Sequence, residues 1–313
     1  MLEREHARAV GRRRTFPTEP AFAQSAWRMY RRSLVNLMAR ASADRSGSST
    51  ALRLAALACT LALALTGCSR SSATSAAPPR AGSTYGLMQM NLCLSGLAGC
   101  YGKAAYPAVV DEAVARIRQA RADAVTVNEA CRSDVAEIAR RTGYHLRFSR
   151  VIYLGEPLHC VQPDGRGLFG DAVLTLAAIE STANHDFEAQ AGPERRRWLC
   201  VTTRVDVDVC TAHLNTRSTI EVAGNDAQCG ELTALLARRA GARTVIFGGD
   251  VNRRRSCAPD GIWTRTDSAA AQAPGIQHVY GSDALRSPSA AVVPTMHSDH
   301  DVLLVRAHLT AQP

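Results

Sequence analysis

The chain has 313 residues, enough for one large domain or two small ones, and at 5% aromatics any core must rest on Ala, Val, Leu and Ile. Its net charge of +9 invites a nucleic-acid partner, but residues 1–68 hold eleven arginines against four acids, leaving 26 basic and 24 acidic residues elsewhere. The basic balance belongs to the leader, which excludes any argument from bulk charge to substrate.

Residues 1–37 lie upstream of an ordinary leader, and Met38 would make a conventional start, so this stretch reads as an untranslated extension. Residues 38–68 read as a signal peptide, in which Arg40, Arg45 and Arg53 precede an apolar run over residues 54–65. Such a run is too short for a bilayer, which needs roughly 20 residues, and suits a signal-peptide core. The ending Leu65-Thr66-Gly67-Cys68 resembles a bacterial lipobox, which would make Cys68 the lipidated first residue of the mature protein. An ordinary secretory signal is the other reading. Residues 69–84, rich in Ser, Ala and Pro, read as a flexible tether, and residues 85–313 as one folded domain.

Within that domain residues 86–92 read as a strand ending near Asn91. Residues 106–121 place Val109, Val110, Ala113, Val114 and Ile117 at helical spacing. A short strand over 124–127 leads to Glu129, and a helix over 134–142 closes before Gly143. Strands follow at 144–151 and 172–176, then a hairpin of 198–203 with 207–213 turning near Val205-Asp206. A helix over 231–240 ends at Gly241; strands at 244–247, 276–280 and 302–305 complete the pattern, and the stretch around Met296 reads as buried strand. Helices alternating with strands at both ends of the domain predict an α/β fold with a mixed sheet covered by helices.

Setting aside Cys59 and Cys68 leaves Cys93, Cys100, Cys131, Cys160, Cys200, Cys210, Cys229 and Cys257, an even number that suits disulfides in an exported chain. Proximity favours Cys93–Cys100, the hairpin favours Cys200–Cys210, and Cys131–Cys160 and Cys229–Cys257 follow by elimination. None has the C-x-x-C spacing of a structural zinc site.

Four polar signatures stand where apolar runs end: Asn128-Glu129, His213-Leu214-Asn215, Gly248-Gly249-Asp250-Val251-Asn252 and Ser298-Asp299-His300. Carboxylates, amides and imidazoles converging on one mouth of a sheet suit a hard divalent cation with a histidine that moves protons. Adding Gln89-Met90-Asn91 and Gly167-x-x-Gly170, six motifs run in one order over residues 89–300. In that order the chain resembles the endonuclease/exonuclease/phosphatase superfamily. The resemblance implies a DNase I-like four-layer α/β sandwich, two packed mixed sheets flanked by helices.

It also implies roles. Glu129, Asn91 and Asp299 would hold Mg²⁺, or Mn²⁺ or Ca²⁺. His213, Asp250, Asn252 and His300 would be catalytic, with one imidazole on each side of a phosphodiester. Asn215 and Arg253, the latter opening the run Arg253-Arg254-Arg255, would bind substrate. In one respect the chain departs from the family pattern: Gln277 stands where a carboxylate would orient the last histidine. A glutamine there would still fix the His300 ring by a hydrogen bond but could not stabilise imidazolium by charge, so a weaker site is expected, and Gln277→Asp should strengthen it. The function implied is an exported, lipid-anchored or secreted, metal-dependent phosphodiesterase, monomeric, touching membrane only through its anchor. A nuclease for DNA or RNA ranks ahead of a phospholipid or inositol-phosphate phosphoesterase. A non-catalytic binding module with a degraded site is the reading from another class.

Overall fold

The computed structural model describes residues 83–102, 104 and 106–310. The extension, the signal peptide, Cys68 and most of the tether lie outside the described residues, and among those described no helix is long and apolar enough to cross a membrane.

Two six-stranded mixed sheets carry the fold. One runs β14 (Leu285–Val293), β15 (Val302–Leu309), β1 (Thr84–Asn91), β2 (Ala124–Cys131), β6 (Phe169–Thr175), β3 (His145–Arg150). The other runs β12 (Trp263–Thr266), β13 (Gln277–Gly281), β11 (Thr244–Asp250), β10 (Val207–Ala212), β9 (Arg197–Thr203), β7 (Ile179–Asp186). A small third sheet joins β4 (Ile152–Tyr153), β5 (Glu156–Pro157) and β8 (Glu194–Arg195).

Side-chain alternation builds the layers. On β1, Tyr85 and Leu87 face the second sheet while Met88 and Met90 face α1 (Ala108–Ala120) and α2 (Arg132–Thr142). On β11, Ile246 enters the inter-sheet core while Val245 and Phe247 pack under Leu232, Leu235 and Leu236 of α3 (Val222–Ala240). The order helix, sheet, sheet, helix is the predicted four-layer sandwich.

Each large sheet contains one parallel pair joined through a helix: β1–α1–β2 and β10–α3–β11. Parallel strands point their carboxyl ends the same way, where side chains of open α/β sheets gather for ligands. Asn91, Glu129, His213 and Asp250 all come from those four ends.

Several elements differ from the sequence reading. Helix α3 starts at Val222, because Gly224, Asn225 and Asp226 are poor helix formers held there by tertiary contacts. Strands β7 and β14 were not expected: their residues are mostly polar or exposed, as edge strands are. Met296 is not in a strand; it is 74% exposed in the loop between β14 and β15.

The cysteines pair as the spacing suggested: Cys93–Cys100, Cys131–Cys160, Cys200–Cys210 and Cys229–Cys257. Cys200 and Cys210 lie directly opposite on β9 and β10. The last bridge ties the loop after β11 to α3 across 28 residues. Removing it by Cys229→Ser with Cys257→Ser is expected to cost about 3 kcal/mol through a freer unfolded chain. Thermal melts should show a fall of roughly 6–12 °C for a domain of this size.

Candidate active site

The site's floor is polar and buried. Asn128 accepts from Gln89 Nε2 (2.8 Å) and the Asp250 amide (2.8 Å), and donates to Asp171 (2.9 Å). Thr126 donates to Gln89 Oε1 at 2.6 Å. Satisfied on every side, this network fixes the two sheets in register at the site. Gly248 lets them approach: a Cβ there would lie 2.3 Å from Thr126 Oγ1.

Glu129 leaves that floor on a bulge. Between Val127 and Ala130, β2 has one residue more than β6, and Glu129 takes φ +54°. A non-glycine residue there costs ~1–3 kcal/mol, and the bulge re-aims the side chain. Asn91 Nδ2 donates to Glu129 Oε1 (2.8 Å) and Asp250 Oδ2 (3.1 Å), holding both carboxylates together. Burial pushes the Glu129 carboxyl from 4.5 up to about 7, against the Asn91 hydrogen bond and with the added repulsion of Asp250. Burial also raises Asp250, although His300 and the Asn252 N–H oppose it.

The loop that carries Asp299 and His300 is tied at both sides. Ser298 Oγ donates to the Asn91 carbonyl (2.6 Å), and Glu112 of α1 accepts the N–H groups of Met296 and His297. This sets His300 Nε2 at 3.6 Å from Asp250 Oδ2 and 3.9 Å from Asp299 Oδ1.

His213 stands between two donors: Arg196 at Nδ1 (2.9 Å) and the Asn252 amide nitrogen at Nε2 (3.0 Å), with Glu129 Oε1 3.8 Å away. An imidazolium would set N–H against N–H on both sides. Burial first, then Arg196 and His300, hold its pKa well below the usual value. His213 is therefore a neutral hydrogen-bonding group, and the expectation of two proton-carrying imidazoles is corrected to one. Arg196 was missed, since nothing in its local sequence announces a guanidinium 17 residues upstream turned onto that ring.

The sequence model of the Endonuclease/Exonuclease/phosphatase family matches residues 97–300. The chain belongs to this family. Among solved structures it is similar to truncated Caenorhabditis elegans TDP2, with 17% identity and TM-score 0.51 over 73% of this chain and 99% of that one. It is also similar to an endonuclease/exonuclease/phosphatase from Beutenbergia cavernae (18% identity, TM-score 0.52, 75% of this chain and 73% of that one). The human Nocturnin catalytic domain aligns with 15% identity and TM-score 0.53, over 72% of this chain and 94% of that one. At these identities the likeness is one of fold. No curated protein matches the chain.

Members of the Endonuclease/Exonuclease/phosphatase family typically depend on a divalent metal, and this donor set fits one. Asp299 Oδ1 is buried without a hydrogen-bond partner. Asp250 and Asp299 both add to the raised proton affinity of Glu129, a repulsion that a cation relieves. Mg²⁺ needs few protein ligands because it keeps waters and takes phosphate oxygens. Glu129 and Asp299 would hold it. Asn91 is corrected to an orienting role, because its amide oxygen accepts the Cys93 N–H (3.1 Å) and its nitrogen faces the carboxylates. The sulfurs of Cys93 and Cys100 also lie within 4.8 Å of Glu129, but as a disulfide they offer no thiolate.

Three further expectations change. Asn215 is fully buried: its side chain donates to the Ala191 carbonyl (2.8 Å) and accepts from Gln228 (2.5 Å), so it clamps the loop after β10 to α3 instead of meeting substrate. Arg253 lines a cavity of about 570 Å³ with Arg217, Asn252, Arg254 and Arg255, but it shares Asp226 with Arg217. Its charge is thus half spent on holding the loop.

Gln277 does not reach His300. Its amide donates to the Asp301 carbonyl (2.5 Å) and Asp267 (3.3 Å) and accepts from Gln89 (3.3 Å), while His300 Nδ1 is buried without a partner. An aspartate at 277 would lose both donors and face the buried Asp267. Gln277→Asp is therefore expected to destabilise the protein by roughly 2–4 kcal/mol, measured by denaturant unfolding, without raising the rate.

Proposed function

We propose that this protein is an exported, divalent-metal-dependent phosphodiesterase whose substrate is nucleic acid, held at the membrane through a lipid on Cys68. The observation that carries the reaction is the convergence of Glu129 and Asp250 on the Asn91 amide, with His300 set between Asp250 and Asp299, at the carboxyl ends of two parallel strand pairs. The four disulfides support an oxidising compartment.

Glu129 and Asp299 would hold the cation, which would supply Lewis-acid polarisation of a phosphoryl oxygen. Asp250, with Oδ1 pinned by the Asn252 N–H (2.9 Å) and a carboxyl raised by burial, takes the proton of the attacking water. His300 beside it hydrogen-bonds the phosphoryl group and relays the proton toward the leaving oxygen. Neutral His213, fixed by Arg196, and the Asn252 amide line the opposite wall. The cavity beside Asn252, with exposed Arg254 and Arg255, suits phosphates flanking the scissile one.

The test is hydrolysis of bis-p-nitrophenyl phosphate with Mg²⁺, Mn²⁺ or Ca²⁺, abolished by EDTA, followed by plasmid DNA, RNA, sphingomyelin and inositol phosphates. No turnover with any metal would favour a binding module. Cleavage confined to sphingomyelin or inositol phosphates would overturn the nuclease reading while keeping the chemistry.

A further inference from the structure

A second basic cavity, of about 540 Å³, opens where the free edges of the two sheets meet at β3 and β7. Arg132, Arg147, Arg150 and Arg197 line it with Asn184 and Phe148, and no carboxylate does. Its size falls in the ~300–1,000 Å³ range of ligand sites.

The arginines come from three elements brought to one rim. Arg132 opens α2, three residues after Glu129. Arg150 on β3 pairs with Gly170 on β6, which pairs with Ala130 on β2, so it stands level with Glu129's neighbour about 10 Å, two strand spacings, to the side. Arg197 opens β9 beside Trp198, which pairs with Ala212 just before His213. The cavity thus lies at the same end of the two sheets as the reaction centre.

Most of this charge is unspent. Arg197 pairs with Asp186 at 2.8 Å and Arg147 donates to Thr182, but neither Arg132 nor Arg150 has a side-chain partner among the described residues. Charged side chains on edge strands also discourage edge-to-edge pairing, which accounts for Arg147 and Arg150. It does not account for Arg132, on a helix, or Arg197, on an interior strand.

We infer that this groove binds the sugar-phosphate backbone of a single nucleic-acid strand running out of the reaction centre. This rests on the phosphodiesterase reading and adds the path of its substrate. Guanidiniums in series match successive phosphates, and half-buried Phe148 in the groove offers a face for a base. A lipid surface would call for protruding apolar side chains, whereas Phe148 lies within a concavity.

The experiment is fluorescence anisotropy of a labelled single-stranded oligonucleotide in EDTA, comparing the protein with its Arg132→Ala/Arg150→Ala variant. Both positions are exposed, so the variant should fold. The expected result is at least ten-fold weaker binding at low salt. The slope of log K against log[salt] should fall by about 0.7 per arginine removed. Hydrolysis of bis-p-nitrophenyl phosphate, too small to reach the groove, should be unchanged. Equal oligonucleotide affinity in the two proteins, or none in either, overturns the inference, as does arginine-dependent binding of inositol hexakisphosphate or anionic vesicles alone. Arginine-dependent oligonucleotide binding by a protein that cleaves no phosphodiester would keep the groove and sink the enzymatic reading.

Discussion

Glu129→Gln should lower Mg²⁺-dependent hydrolysis by about 10³-fold or more and, in EDTA, make the protein more resistant to unfolding at pH 8. The first effect follows because the carboxylate is the central anionic donor, and Lewis-acid stabilisation is worth several kcal/mol. The second follows from burial, which lifts the Glu129 carboxyl from 4.5 to about 7. A raised carboxyl favours the folded state below pH 4.5, where both states are protonated, and that advantage is lost as pH rises through 7. At about 1.36 kcal/mol per pK unit, the metal-free wild type should fall behind Glu129→Gln by up to roughly 3 kcal/mol across that window. Comparing the two proteins cancels the opposite pH dependence of buried His213 and His278, both lowered by burial. Urea melts at pH 4.5 and pH 8 would read it. Mg²⁺ should restabilise wild type at pH 8 and leave the variant unmoved. A variant with wild-type activity, or a stability gap that ignores pH, would sink the assignment of Glu129 as the metal carboxylate.

Asp250→Asn and His300→Ala are each expected to reduce kcat/KM by 10²–10⁴-fold, the usual reach of a positioned acid or base. The double variant should lose little more than the worse single. The two side chains lie 3.6 Å apart and move one proton between them, so removing either disables both. Asp250 also shapes the pH profile: because burial raises its carboxyl, activity should fall with decreasing pH from a point above the ordinary carboxyl range. Steady-state kinetics on bis-p-nitrophenyl phosphate over pH 4.5–8.5 would measure both effects. Additive losses would mean that the two residues act on separate steps, contrary to the proposed relay.

The residues that could be found from sequence share one property: their chemistry sits in a short local pattern. Glu129 and Asp250 each end an apolar run inside a recognisable motif, a local feature that periodicity reveals, while His300 was found by its Ser-Asp-His motif alone, in the loop before β15. The disulfide partners were also accessible, since one short separation and one hairpin left the two remaining pairs to elimination. Arg196 and the groove arginines carry no such pattern, and Asn128, though inside a motif, showed nothing of its part in the buried floor. Their roles arise from partners 17, 122 or more residues away, or on a neighbouring sheet.

Asn215 and Gln277 show the converse. Each occupies the motif position that suggested a part in the reaction, yet packing spends every polar atom of both amides on backbone and buried neighbours. A motif specifies which residue arrives at a strand end; it does not specify which way the side chain turns once another element is packed over it.

By itself, then, the sequence determined an α/β fold of mixed sheet covered by helices, the cysteine pairing and the carboxylate–histidine motifs, because these follow from alternation, loop length and local chemistry; the four layers were implied by the family resemblance of those motifs. Only the tertiary structure decided that Asn91 orients carboxylates, that His213 stays neutral under Arg196, that Gln277 belongs to the core, and that scattered arginines share one groove. Those outcomes depend on distances across two packed sheets, where burial and the nearest long-range partner set the proton affinity and orientation of every polar group.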